Sequence, residues 1–379
     1  MTDGPNGARA GAWPIEHVFM LMLENRSFDH MFALSGIPGI AAARPGDPRF
    51  RNRHGGNDFD FIDGAPEAMP ADPPHDFADV LEQLTTDGVY RPGQPYPPID
   101  NGGFVANFAR TAKPDRSHPR AALHTAMAGA HPRQLPALHA LAEAFVLCDH
   151  WYASMPGPTW PNRFFVHGAS AMGWASGPHF GQIATSVTDL TGFEYPNGSV
   201  FDALGKGRWR IYQDRLGPVS GRIPQVASLK GVSFFDVRDA DKLSRDLRGD
   251  YPFAYTFIEP SYGNIANHSY SGGSSQHPRD GIAPGDRLVA EVYNAIRQSP
   301  LWEKSLLIVT YDEHGGFYDS EPPVELPPPG DIVGRMPGEE QFDFSLSGVR
   351  ACRRSSSRRG CPGAWSIIGS TIMPRSQRR

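Results

Sequence analysis

One junction near residue 310 constrains the fold of this chain more than any other feature. The run Leu306-Leu307-Ile308-Val309-Thr310 is apolar and rich in β-branched residues, and Tyr311-Asp312-Glu313-His314-Gly315-Gly316 follows it at once. An apolar run that short, closed by turn-forming glycines, reads as a strand buried on both faces of a parallel sheet. The acidic pair then stands at the carboxyl end of a strand, where open α/β sheets bind ligands. Two carboxylates and an imidazole there suit a divalent cation and a proton transfer. The two glycines are expected to let a ligand approach the backbone. An acidic surface loop is the plain alternative.

Two further segments follow the same logic. Val18 to Leu23 is apolar, and Glu24-Asn25-Arg26-Ser27-Phe28-Asp29-His30 is dense in polar groups. In Gly157-Pro158-Thr159-Trp160-Pro161-Asn162-Arg163 a threonine is bracketed by turn formers. A hydroxyl on a rigid turn beside a metal that lowers its pKa is one solution for a phosphoryl-accepting nucleophile. Together the three segments suggest a metal-assisted hydrolase.

The stretches ENRSFDH (24–30), GPTWPNR (157–163) and YDEHGGFYD (311–319) resemble the signature segments of the bacterial phosphoesterase family. That family contains non-specific phospholipases C and a group of acid phosphatases. The resemblance runs in order from about Ile15 to about Arg350. It implies an α/β fold like that of the alkaline phosphatase superfamily: a three-layer α/β/α sandwich with a mostly parallel sheet and the site at the strand carboxyl ends. It further implies a metal-dependent hydrolase of phosphoric esters working through a Thr159 phospho-enzyme. Glu24, Asn25, Asp312 and Glu313 match metal positions, for Ca, Mg, Mn or Zn. His277 matches a family histidine that would protonate the leaving oxygen, and His314, beside the acidic pair, would do the same or hold the loop. His75 is read as a phosphate or leaving-group contact, Asn162 as a phosphate contact, and Arg163 as either a phosphate contact or a loop anchor. Two departures weaken the carry-over of substrate: Ser320-Glu321 where relatives have His-Val, and Ser274-Ser275 where they tend to have Asn-Asp. The implied substrate is a phosphodiester, phospholipid included. A monoester-cleaving acid phosphatase is the first rival, and a truncated inactive remnant the second.

Composition sets the outer bounds. A chain of 379 residues is long enough for one large α/β domain. With 37 Pro and 41 Gly, long ordered loops around the core are expected. A net charge of −5 gives no reason to expect a nucleic-acid partner. The three cysteines form no disulfide framework, and Cys148, after Ala144-Phe145-Val146-Leu147, is expected in the core. No run approaches the ~18 apolar residues of a membrane span, and no signal peptide is visible, so the chain as written reads as cytoplasmic. A mis-assigned start would leave export open. Helices are expected over 76–85, 135–145 and 286–299, and strands over 15–23, 208–213 and 253–258, with an elaborate loop region at 38–74.

The expected organisation is a flexible tail (1–13), a phosphoesterase domain (14–350) and an aberrant basic tail (351–379). The last segment has no Asp or Glu, two of the three Cys, and the run Arg353-Arg354-Ser355-Ser356-Ser357-Arg358-Arg359. A basic disordered tail is one reading. A frameshift in a GC-rich gene is the sharper one. With GC-rich codons, shifting Ser370 to Pro374 by one base gives Val-Tyr-Asp-His-Ala, resembling a segment of the family. Such a chain would lack the fold's last strand and leave an apolar sheet edge uncovered, which puts its activity in doubt. Genomic sequencing across this region checks the reading, and an unambiguous printed frame overturns it.

Overall fold

The computed structural model describes residues 15–86, 97–111, 119–178 and 192–324, together with a short strand at Gly363–Trp365. Five parallel strands form the central sheet: β1 (His17–Leu23), β2 (Trp209–Gln213), β3 (Val237–Asp239), β4 (Tyr255–Glu259) and β5 (Ser305–Tyr311). Their order is β5-β1-β4-β2-β3. The register sets Leu23 beside Tyr311, and Gln213 beside Glu259, so the carboxyl ends share one edge.

Alternation along β1 builds the layers, because successive side chains point to opposite faces of a strand. Phe19, Leu21 and Leu23 pack in a core with Leu307 and Val309 of β5. That core is closed by Leu138 and Leu141 of one helix, Pro136–Ala144, and by Leu288, Val289, Val292 and Ile296 of another, Ile282–Arg297. Met22, Ile211 and Phe257 point the other way, onto Phe164 of helix Thr159–Gly168 and Phe201 of helix Val200–Leu204. The result is the expected three-layer α/β/α sandwich.

The long helix Ile282–Arg297 starts four residues before the periodic pattern suggested. Its Asp286 faces inward and accepts the Ala137 and Leu138 N–H groups at 2.9 and 2.8 Å, capping the neighbouring helix. The region 38–74 is more regular than its composition suggested. It holds a hairpin, Arg51–His54 against Asn57–Asp60, turned by Gly55 and Gly56, both at positive φ. Cys148 departs from expectation: it is only partly buried, on the short strand Cys148–Trp151, where every residue keeps some exposure. Residues 1–13 lie outside the described residues, as does the tail 351–379 apart from its three-residue strand. No helix among the described residues is long and apolar enough to cross a membrane.

Candidate active site

Because β1 and β5 are parallel neighbours in register, the two acidic junctions meet. The Asn25 N–H donates to Asp312 Oδ1 at 2.9 Å, and the Arg26 N–H to the Glu313 carbonyl at 3.0 Å. Asn25 sits at φ 54°, a left-handed conformation that asparagine tolerates better than most residues. Ser27 then caps the helix Phe28–Phe32 through the His30 N–H.

Gly315 and Gly316 serve a different purpose from the one expected. A Cβ on Gly315 would stand 2.0 Å from the Asn25 carbonyl oxygen, and one on Gly316 2.6 Å from the Pro74 carbonyl oxygen. The space is filled by the chain's own backbone, drawn in so that the loop carrying His75 reaches the site.

Thr159 opens the helix Thr159–Gly168 and lies buried against Asn25. Its hydroxyl donates to Asn25 Oδ1 at 2.9 Å. The residue before it, Pro158, offers no side-chain cap, so the first-turn N–H groups are left to another acceptor. Such a helix end favours an anion. On its other side Asn25 Nδ2 lies 3.0 Å from His75 Nε2, and His75 Nδ1 donates to the Pro73 carbonyl at 2.7 Å.

Arg163, one turn along that helix, is an anchor. Its Nε donates to Asp312 Oδ2 at 2.9 Å, Nη1 to Tyr262 Oη at 3.0 Å and Nη2 to the Leu23 carbonyl at 3.0 Å. Tyr262 Oη donates in turn to Glu259 Oε2 at 2.6 Å. Of the two readings offered by the sequence, loop anchor fits these contacts. Asn162 likewise does not act as the phosphate contact expected: its amide bonds the backbone of Met155, Gly157 and Pro158. It fixes the turn that presents Thr159.

The histidines divide by charge. Burial works against protonation of His75, but Glu313 and Asp72 beside it win and push its pKa up to about 9. His277 is held well below its ordinary value by burial, with His75, Arg26 and Arg279 adding repulsion. It stacks on Tyr270 at 4.2 Å and sits 3.6 Å from Asp72. The same surroundings disfavour the protonated ring, which weighs against the expectation that His277 donates the leaving-group proton. His314 bridges Glu313 Oε2 at 3.2 Å and Gln83 Oε1 at 2.8 Å.

Glu24 Oε2 and Glu313 Oε1 are buried oxygens without a hydrogen-bond partner. Burial pushes the Glu24 carboxyl up to about 8 against the pull of Arg163, with repulsion from Asp312 and Glu313 adding to the rise. Unpartnered hard oxygens in an acidic pocket are the donor chemistry of Mg, Ca or Mn. Asp312, however, is paired with Arg163, and among the described residues no three His, Cys, Asp or Glu side chains converge as a metal-binding group. The donors suit a cation; a closed cage does not surround it.

Beside this cluster, a cleft of about 650 Å³ including open solvent is lined by Val80, Phe104, Tyr152, Met155, His314 and Asp319. Sequence reasoning missed Arg26, which is fully buried and donates to the carbonyls of Gln276 and His277 at 2.6 and 3.2 Å. It draws the His277 loop onto β1. The signal was present, an arginine inside ENRSFDH, but a lone arginine reads by default as surface. Tyr262 and Glu259 were missed for want of a motif.

A sequence model of the Phosphoesterase family matches residues 15–350, nearly the whole described fold. The chain belongs to the Phosphoesterase family. Among its relatives, non-specific phospholipase C6 of Arabidopsis thaliana is 32% identical over 364 residues, covering 92% of this chain and 62% of the relative. Non-specific phospholipase C3 of the same plant is 30% identical over 355 residues, 91% of this chain and 63% of the relative. Phospholipase C A of Mycobacterium tuberculosis is 28% identical over 345 residues, 84% and 62% respectively. The chain thus spans about three fifths of the length of these curated relatives.

Proposed function

We propose that this chain hydrolyses phosphoric esters in the manner of a phospholipase C, with Thr159 as nucleophile. The observation that carries the reading is the 2.9 Å contact of Thr159 Oγ1 with Asn25 Oδ1. It brings three distant segments together at the carboxyl edge of the sheet, where the uncapped helix end can receive a phosphate. Thr159 Oγ would attack phosphorus as its proton passes to solvent, the P–O bond to the glycerol oxygen would break with that oxygen taking up a proton, and water would later release the head-group phosphomonoester from Thr159.

A divalent cation, when bound at Glu24 and Glu313 with Asn25 and Asp312 alongside, would lower the hydroxyl pKa and offset charge on the phosphoryl oxygens. The chain's own residues do the rest. Arg163 fixes Asp312 and the helix end. Asn162 fixes the turn before Thr159. His75, cationic at neutral pH, is the ring with a proton to give to the leaving oxygen. When His75 is protonated both its nitrogens donate, so the Asn25 amide turns its oxygen to Nε2 and its NH2 to Thr159. The Thr159 hydroxyl then accepts from Asn25, and its own proton is free to leave.

The names of the relatives favour a phospholipid-type diester over a monoester. Turnover of a soluble phosphocholine diester and of a simple phosphate monoester, with and without chelator, tests this. Preference for the diester, lost on chelation and in Thr159→Ala, is expected; retained turnover in Thr159→Ala removes the nucleophile. Preference for the monoester makes the chain a phosphatase. No turnover with metals supplied makes it an inactive remnant.

A further inference from the structure

The exposed large apolar side chains among the described residues are Leu216, Val219, Ile223, Phe234 and Phe235. They lie at opposite ends of the sheet. Phe234 and Phe235 precede β3, at the amino edge. Leu216, Val219 and Ile223 lie on the segment leaving the carboxyl end of β2, the edge that carries Glu24 and Asp312. Val219 is 77% exposed.

This segment is braced. A Cβ on Gly217 would stand 1.8 Å from the Gly272 carbonyl oxygen, and one on Gly221 2.2 Å from that of Gly263. The Tyr262 N–H donates to the Gly221 carbonyl at 2.9 Å, and Tyr262 is the phenol that holds Arg163. Backbone packed on backbone makes a ledge that presents its aliphatic side chains without the cost of ordering a loose loop.

The charges on the ledge are sorted. Arg222 stands between Val219 and Ile223, with Nη2 donating to the Gly217 carbonyl at 2.6 Å. Arg215 pairs with Asp239 at 2.6 Å, and Asp214 accepts the Ser274 hydroxyl at 2.5 Å. Exposed aliphatic side chains on the same short segment as an arginine match the layered chemistry of a phospholipid surface: apolar groups enter the acyl boundary while the cation meets phosphates. We propose that the Leu216–Ile223 ledge docks this protein on a phospholipid bilayer, with Arg222 on lipid phosphates and the site edge facing the membrane. The proposal rests on the reading of the substrate as a phospholipid-type ester.

The test is co-sedimentation of the full chain with vesicles of phosphatidylcholine and phosphatidylglycerol in equal parts, beside turnover of a soluble short-chain diester. The wild type is expected in the vesicle pellet. Val219→Glu should weaken partition ~10-fold or more, as expected when one aliphatic anchor is lost, with soluble turnover unchanged. Arg222→Gln should weaken binding more on mixed than on pure phosphatidylcholine vesicles. Phe235→Glu, at the far edge, should bind as wild type. Equal sedimentation of wild type and Val219→Glu, or loss confined to Phe235→Glu, overturns the proposal. So does a change of mass in solution on Val219→Glu without a change in vesicle binding, which would make the ledge a contact between copies. Soluble turnover without vesicle binding overturns the ledge and leaves the hydrolase reading; ledge-dependent binding without turnover does the reverse. Neither binding nor turnover overturns both.

Discussion

Asn25 and Thr159 are 134 residues apart in sequence, and their side chains meet at 2.9 Å. The same Asn25 residue takes Asp312 on its backbone N–H and His75 on its amide. A single residue in a left-handed conformation therefore connects the nucleophile candidate, an acidic strand end and the His75 ring.

If Thr159 is the nucleophile, Thr159→Ala should lower kcat by ~10³-fold or more, while Thr159→Ser keeps a measurable fraction. Its melting temperature should stay close to wild type, since one hydrogen bond contributes about 1 kcal/mol. Kinetics on the soluble diester, paired with a thermal melt, check both halves.

Arg163→Met should be structurally expensive. The Arg163 side chain is 4% exposed and its partner Asp312 fully buried, so the substitution strands a carboxylate. Loss of roughly 3–5 kcal/mol is expected for breaking a buried pair. Urea unfolding measures it, and a change under 1 kcal/mol would make the pair dispensable.

Gly315→Ala should destabilise the protein by roughly 1–3 kcal/mol through the positive-φ strain alone, and displace Asn25 besides. Activity is expected to fall further than stability, because the Cβ meets the residue that holds Thr159. An alanine variant with full turnover would contradict the role given to this close approach.

Stability should depend on pH through Glu24. Its folded pKa, about 8, lies above the ordinary 4.5, so the folded state binds the extra proton. The contribution is complete below pH 4.5 and lost as pH rises toward 8. Melts between these limits should show the decline, flattened in Glu24→Gln. A divalent cation should stabilise the wild type more at the alkaline end of that window than at the acid end. It should lose most of this effect in Glu24→Gln or Glu313→Gln.

The pH–rate profile separates the two histidines. His75, pushed up to about 9, is the group whose proton is lost on the alkaline side. Turnover should fall as pH rises through about 9, and His75→Gln should remove that limb at a lower rate. His277, held well below 6.5, should contribute no limb near neutrality. An alkaline limb surviving in His75→Gln and vanishing in His277→Gln would reverse the assignment.

The strands and helices that carry the site were largely legible, because their apolar spacing follows directly from which faces they bury. Leu306 to Thr310 reads as a buried strand, and Ser305–Tyr311 is one. Ile282–Arg297 was legible only from Asp286 on, because its first turn holds Pro284 and Gly285 and no periodic apolar set. Gly55-Gly56 marked a hairpin that a Gly- and Pro-rich composition obscured.

The sequence by itself determined the family, the parallel sheet and the edge at which the chemistry gathers, since local pattern and motif depend only on neighbours along the chain. The tertiary structure alone decided which polar side chains spend their hydrogen bonds on holding the protein together. Asn162 and Arg163 turned out to be holders, Gly315 a close-packing site for Asn25, and the surroundings of His75 to favour the proton that those of His277 disfavour. Arg163, Gly315 and His75 meet partners more than a hundred residues away in sequence, Asp312, Asn25 and Glu313, which no local pattern specifies, while Asn162 closes a turn on residues 155–158 whose shape only the folded backbone gives.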